Sequence, residues 1–305
     1  SLRSISRLGA VLTERGAAEE AGLDLSGGHV LADAYSFHEV ENAFHAMEKA
    51  ALPVTWLSAE DVRALVHGRG FLGGYRIEGG GGLDPQATAV ALAEAARDEG
   101  ATVLEGVLVN DVSRRKGRMV CATDEGEIQA EMVVYATHTD SRRFSSFLGD
   151  EIVPIRGQGM LVEPGPPVYR GSFSTHWKLN VWRSDAQGRL HLGGWRHDAW
   201  DRSYWKMRPE LDDHLQENLQ GWFQSTFPEA GHLSVARRWS GIFGWTADYL
   251  PLVGPLPGRV GELVIAGFSG GGLPFAFEAG RVIEAIVSEK EPVPGGGLLN
   301  PRRFT

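Results

Sequence analysis

Residues 262–287 read Glu262-Leu-Val-Ile-Ala266-Gly267-Phe-Ser-Gly270-Gly-Gly-Leu-Pro274-Phe-Ala-Phe-Glu-Ala-Gly-Arg-Val-Ile-Glu-Ala-Ile-Val287. Leu263, Val264, Ile265 and Ala266 form a short apolar run of the kind that makes a buried, parallel-type strand. The glycine-dense stretch 267–272 then predicts a tight turn, and Phe275, Ala279, Val282, Ile283 and Ile286 recur at helical spacing after it. Pro274 suits a first helical turn, where no N–H is needed. Glycines accept positive φ and let the backbone approach a ligand, while a helix start aims unpaired N–H groups and partial positive charge at the same spot. An anion or an electron-rich ring suits such a cradle. A tight strand-to-helix turn with no ligand is the other reading that the pattern allows.

Around this stretch, 305 residues suffice for one large domain or two moderate ones. Hydrophobic residues make up 42% and charged residues 23%, the balance of an ordinary globular protein. A net charge of −9 argues against nucleic acid or an anionic membrane surface as a partner. No apolar run approaches the roughly 20 residues that span a bilayer, and the polar start lacks a signal-peptide pattern. The single cysteine, Cys121, excludes an internal disulfide, fits a reducing cytoplasm and reads as an inert thiol in a strand. Forty glycines favour a fold rich in tight turns.

In chain order, residues 7–22 predict a helix ending at Gly22, with no strand or turn before it. Ser36-Phe-His-Glu39 reads as a capping box for a helix whose apolar face is Phe37, Val40, Phe44 and Met47, and Ser58-Ala-Glu-Asp61 opens another. Residues 68–73 match G-x-G-x-x-G, but a helix precedes them where a strand is required, so 68–82 is expected to be a wide loop. Asp84 as N-cap, Pro85 at N1 and Gly100 at C′ frame a helix with Val90, Ala91, Leu92 and Ala95 on its apolar side. Strands are expected at 101–104, 107–112, 119–123 and 131–137, then at 152–163, 178–183 and 189–194, with one long helix at 209–227 carrying Leu211, Leu215, Leu219, Trp222 and Phe223 inward. Six of the nine tryptophans fall between 177 and 222, and 292–305 reads as a surface extension. The whole is an α/β architecture with a Rossmann-type domain lacking its opening strand and turn, joined to a mostly antiparallel α+β domain.

Several ordered segments resemble the FAD-dependent amine and amino-acid oxidases of the D-amino-acid oxidase (DAO) type, in particular the γ-glutamylputrescine, sarcosine and glycine oxidase branch. These are Gly82-Leu-Asp-Pro85, Val133-Val-Tyr-Ala-Thr137, Pro154-Ile-Arg-Gly-Gln158, Gly188-Arg-Leu-His-Leu-Gly-Gly194, and the run from Trp239 through Thr246, Asp248, Pro251 and Gly254 to 267–272. The resemblance implies non-covalent FAD, a small-molecule amine or amino-acid substrate, and oxidation of a C–N bond by hydride transfer to flavin, with the electron acceptor and the oligomeric state left open. It implies an FAD-binding domain from 1–24, 83–150 and 235–305, and a substrate domain from 25–82 and 151–234. It places Val109, Ala136, Gly267, Phe268, Ser269, Gly270, Gly271, Gly272 and Leu273 against the cofactor. Gln158, Arg183, Trp245 and Thr246 fall near the substrate, with backbone positioning as the role of Asp248 and a general base as its alternative. No catalytic base is assigned.

The chain departs from the family in three places. The opening strand, G-x-G-x-x-G turn and helix are not in these 305 residues, so the sequence is either part of a longer polypeptide or a shortened relative. Gly271 stands where relatives have histidine, and Gly241 where sarcosine oxidases have the cysteine that anchors flavin. A shortened, flavin-free binding or partner-interaction module is the alternative function. Trp182, Trp195 and Trp245 are candidates to wall a pocket by cation–π contact, against the commoner role of core packing. Arg156, Arg183 and Arg196 are candidates for a substrate carboxylate, with Arg183 foremost. His191, His197 and Asp198 lack a third metal ligand at standard spacing, so no metal is expected.

Overall fold

The computed structural model describes residues 2–166, 169–175, 179–196 and 199–305. The first helix, α1 (Leu2–Glu14), begins and ends earlier than its apolar spacing suggested. Gly16, at φ 69°, closes it: Ala17 N–H reaches back to Leu12 C=O at 2.8 Å and satisfies a carbonyl the helix leaves open. β1 (Gly28–Asp33), α2 (Phe37–Lys49), β2 (Val54–Ser58), α3 (Ala59–Val66) and β3 (Phe71–Ile77) follow. Val40 and Phe44 bury one face of α2 as its pattern required, with Phe37 and Met47 packed beside them. Its capping box does not form, because Ser36 Oγ donates to Asp33 Oδ1 at 2.8 Å and makes no cap. At α3 the box is complete, with Ser58 and Asp61 exchanging side-chain and backbone bonds.

The expected loop at 68–82 contains the strand β3 at its centre. Glycines inside a strand were the misleading signal; a Cβ at Gly74 would lie 2.5 Å from Val30 C=O, so glycine is what lets β1 and β3 pair here. Next, α4 (Pro85–Asp98) is capped by Asp84, which accepts from the N–H groups of Gln86 and Ala87, both at 2.9 Å. Its apolar side is narrower than read, since Val90 is exposed. No strand forms at 101–104, where Leu104 stays exposed. β4 (Val109–Arg115), β5 (Arg118–Thr123) and β6 (Gly126–Ala130) make a three-stranded meander, and β7 (Val133–Tyr135) and α5 (Ser146–Glu151) come after it.

The remaining elements are β8 (Val153–Val162), β9 (Ser172–Thr175), β10 (Asn180–Ser184), β11 (Leu190–Gly194), α6 (Trp200–Ser203), α7 (Asp213–Thr226), β12 (Val235–Trp245), β13 (Leu252–Pro255), β14 (Glu262–Ala266) and α8 (Gly272–Val287). α7 is shorter than 209–227 because Asp212 is its N-cap, accepting from Leu215 N–H at 3.2 Å; Leu211 therefore lies outside the helix, exposed. Eight strands form one mixed sheet in the order β12-β8-β11-β10-β9-β1-β3-β2. β12 pairs with β8 from end to end, so residues 235–245 form the edge strand of this sheet.

Residues opposite one another across strands share a face, and neighbours along a strand alternate. Met160, Leu192, Trp182 and Phe173 line up across β8, β11, β10 and β9 on the face that α7 covers with Leu219, Trp222 and Phe223. This is the main core, and Trp182 is part of it. A second sheet, β13-β14-β7, carries the opening motif: β14 runs parallel to β7, with Val264 beside Tyr135. The tail at 292–305 is no loose extension, because it buries Leu299 and Pro301 and sends Arg303 back to Asp248.

Candidate functional site

Two features meet at the end of β12. The first is the turn between β14 and α8. Gly267, Ser269 and Gly270 hold φ of 69°, 50° and 83°, the left-handed region that only glycine enters without strain. Ser269 N–H donates to Gly244 C=O at 2.9 Å and Thr246 N–H donates to Ser269 Oγ at 3.2 Å, so the turn is stitched to β12. Among the described residues, the amides of Gly270, Gly272 and Leu273 have no acceptor outside the helix itself. Gly271 is the N-cap of α8 and supplies no side-chain cap. Ala136 follows β7 at the same end as this turn, because β7 and β14 are parallel. Ligands of open α/β sheets bind at such carboxyl ends. Val109 lies apart, at the start of β4 in the meander.

The second feature is the sheet face opposite α7. Trp239, Gly159, Gly193 and Val181 form one cross-strand row; Gly241 and Gly157 form the next, and Phe243 with Ile155 the one after. A Cβ at Gly157 would lie 2.3 Å from the Phe243 ring, and one at Gly159 would lie 2.4 Å from the Trp239 ring. The missing side chains therefore let both rings lie across β8. Between them, a Cβ at Gly241 would meet nothing within 4 Å, so the space above it is open. Sequence reasoning missed this floor. Its signal was glycine at alternate strand positions, Gly157-x-Gly159, which places every missing side chain on one face.

Beyond Trp245 the chain is held by a dense set of bonds. Thr246 Oγ1 donates to Leu250 C=O at 2.8 Å, and Leu250 N–H donates to Asp248 Oδ1 at 3.0 Å. Arg303 grips both Asp248 oxygens, at 2.6 and 3.1 Å, and Leu250 C=O at 2.7 Å. That guanidinium hydrogen bond holds the Asp248 carboxyl below its ordinary range. Asp248 thus acts on backbone position. Tyr249, between the tethered residues, has φ 63° and packs its ring edge-on 5.3 Å from Trp245.

The arginines separate clearly. Arg156 is buried with Asp212 at 3.3 Å and Glu210 at 3.5 Å, an ion pair that anchors the start of α7. Arg183 lies beside His191 in the cross-strand register, on the open face, and burial lowers its guanidinium pKa. Arg196, just past β11, sets its guanidinium carbon 5.2 Å from the Phe243 ring centre and 5.9 Å from that of Trp245. Gln158 points the other way: Gln216 Nε2 donates to its Oε1 at 3.0 Å and its own Nε2 donates to Glu210 C=O at 3.2 Å, which commits its amide to α7. His191 Nε2 pairs with Asp185 at 3.0 Å, while His197, Asp198 and Trp177 fall outside the described residues. Among the described residues no group of three His, Cys, Asp or Glu side chains could hold a metal ion, and no helix is long and apolar enough to cross a membrane.

The family model for FAD dependent oxidoreductases (DAO) matches residues 1–286. Glycine oxidase of Pseudomonas aeruginosa is 25% identical over 175 residues, covering 56% of this chain and 46% of that protein. Two crystal structures share the fold: glycine oxidase from Geobacillus kaustophilus, with TM-score 0.82, 23% identity and coverage of 96% and 79%, and L-proline dehydrogenase from P. horikoshii, with TM-score 0.84, 19% identity and coverage of 99% and 82%. The chain spans about half the length, or less, of the first curated relatives it matches.

Proposed function

The chain belongs to the FAD dependent oxidoreductase (DAO) family, and from that premise we propose that it binds FAD non-covalently and oxidises the C–N bond of an amine or amino acid. The observation that carries this reading is the adjacency of the 267–272 turn, with its unpaired amides, to the glycine-floored face of the large sheet. The residues present fit a flavin. The turn offers N–H donors to negative charge on the ring, and the open space above Gly241 leaves no side chain to link covalently. When bound, FAD supplies the hydride acceptor.

The roles of the chain's own residues follow from position. The amides of Gly270, Gly272 and Leu273, with the α8 dipole behind them, stabilise negative charge arising beside the turn. Phe268 and Ser269 shape that turn, and Ser269 ties it to β12. Ala136 and Val109 are assigned to the adenosine side. Phe243, Trp239 and Trp245 give the chamber apolar walls that exclude water. Thr246 and Asp248 fix the course of the chain at its mouth, and no base is assigned, since an amine that arrives neutral needs none. Gln158 is left out of the substrate site because its amide is committed elsewhere. A flavin-free module gains nothing from a family whose model is FAD dependent along 1–286. A cytoplasmic setting suits the single free cysteine.

The test is an absorbance spectrum of the purified full-length protein with and without added FAD, followed by a panel of amines and amino acids assayed for flavin reduction without oxygen. Stoichiometric FAD and reduction by at least one such substrate are expected. Failure to bind FAD ends the proposal.

A further inference from the structure

A guanidinium has five N–H donors, and Arg303 commits all of them. Nε–H reaches Asp248 Oδ2 at 2.6 Å, and Nη2 reaches Asp248 Oδ1 at 3.1 Å and Leu250 C=O at 2.7 Å. Nη1 donates to Leu299 C=O at 2.8 Å and to Asn300 C=O at 3.3 Å. One side chain thereby ties the segment after β12 to the segment at 292–305. The base it works from is fixed, because Leu299 and Pro301 are buried and a Cβ at Gly254 in β13 would lie 3.5 Å from Pro301 Cδ.

Tyr249 sits between the two residues that Arg303 grips. Its φ of 63° is a conformation that a residue with a Cβ keeps only where its surroundings over-determine it. Those surroundings are the bonds on either side of it. Asp248 and Leu250 both end on Arg303, and Thr246 Oγ1 closes the same loop onto Leu250 C=O at 2.8 Å. The tyrosine side chain so placed is mostly exposed and packs edge-on, 5.3 Å from the Trp245 ring, whose centre lies 5.9 Å from the Arg196 guanidinium carbon. Burial raises the Tyr204 hydroxyl pKa, Tyr249 adds to that and Arg196 opposes it, so these three side chains surround one opening.

We propose that Arg303 is a positioning residue for the oxidation: through Asp248 and Leu250 it holds Tyr249 against Trp245 and so sets the outer wall on which the body of the substrate rests. This rests on the flavin-dependent reading above and deepens it. A clamp that merely kept 292–305 docked would need the carbonyls of Leu299 and Asn300 and no more. The double grip on Asp248 and the left-handed Tyr249 have a use only if the course of 246–250 matters. The flavin turn is independent of this clamp, since Ser269 N–H is held by Gly244 C=O and Ser269 Oγ accepts from Thr246 N–H. Without Arg303, Tyr249 relaxes to negative φ and its ring leaves Trp245, while the turn stays in place.

The experiment compares the full-length, FAD-supplemented wild type with Arg303→Met, Arg303→Lys and Tyr249→Gly. Hydrogen exchange read by mass spectrometry follows the amides of 246–251 without any need of flavin, and flavin reduction gives KM and kcat separately. R303M should speed exchange at the Leu250 amide, which donates to Asp248 Oδ1. It should raise KM about 3- to 10-fold, the range for one lost aromatic contact, and leave kcat and FAD affinity within about twofold. R303K should recover part of the loss. Y249G should give the same rise in KM while exchange at 299–304 stays as in wild type, and R303M added to Y249G should raise KM no further. A purely structural arginine would lower Tm and leave KM alone. That result, unchanged exchange at 246–251 in R303M, or a full further rise in KM on the Y249G background overturns the proposal. If R303M does not fold, Asp248→Asn, which keeps the bond to Leu250 C=O, should show a smaller rise in KM, and no rise overturns the proposal as well. If FAD does not bind, the flavin reading falls and the role in oxidation with it, while the exchange rates separately report whether Arg303 holds the loop.

Discussion

Gly267 and Gly270 sit three residues apart in one turn, both at positive φ, and alanine at each asks a different question. At Gly270 nothing lies within 4 Å of an added Cβ. Only the left-handed conformation opposes alanine there, at about 1–2 kcal/mol, partly offset by about 0.4–1 kcal/mol from the lower entropy of the unfolded chain. At Gly267 the same conformational cost applies, and the new Cβ would also lie 2.8 Å from Thr246 Cγ2. Overpacking of this sort adds about 1–3 kcal/mol. Gly270→Ala should therefore cost about 1 kcal/mol and Gly267→Ala about 2–4 kcal/mol, read as urea midpoints by tryptophan fluorescence. Thr246→Ser removes the clashing methyl but keeps the hydroxyl that donates to Leu250 C=O. In a double-mutant cycle it should restore on the order of 1 kcal/mol to Gly267→Ala. FAD titration then separates folding from binding, and G270A should weaken FAD by more than its small stability cost. Equal urea midpoints for the two alanine variants would refute the steric argument, and unchanged FAD affinity in both would refute the cradle.

Other consequences are open to direct measurement. The Asp248 carboxyl is held below its ordinary range, so its tie to Arg303 persists above that range and is lost as pH falls through the lowered value; an acid-induced change in tryptophan emission should appear in wild type and be absent in Asp248→Asn. Leu219, fully buried on the sheet-facing side of α7, should cost about 2–5 kcal/mol as alanine, while leaving the FAD affinity of the folded protein unchanged. Burial raises the Cys121 thiol pKa, so alkylation at neutral pH should be much slower in the folded protein than in urea; equal rates would contradict the placement of that strand.

The opening motif was legible because each of its parts obeys a local rule: apolar residues for a two-sided buried strand, glycines for positive φ, helical spacing for α8. The caps at Ser58 and Asp84 were readable for the same reason. What failed was pairing at a distance. The strand at 71–77 looked like a loop because glycine signals a turn locally, and only the approach of β1 explains its use here. The 101–104 run has the residues of a strand and no neighbour among the described residues, since a strand is defined by its partner. The tail reads as a surface extension from its proline and glycine content, and nothing in 292–305 announces that Arg303 will grip Asp248, 55 positions earlier. Among the candidate site residues, 267–273 and Trp245–Thr246 do come together. Gln158 turns to the face that α7 covers, which its residue type and strand do not reveal, and a sequence shows the charge of an arginine such as Arg183 without showing what surrounds it.

The rings of Trp239 and Phe243, laid over bare backbone at Gly159 and Gly157, also bear on how such a protein changes over generations. Each ring works as a removable tile. Exchanging one for a smaller residue would deepen the chamber by its thickness while the eight strands beneath kept their spacing, so a taste for bulkier molecules can be acquired without reworking the framework that holds them.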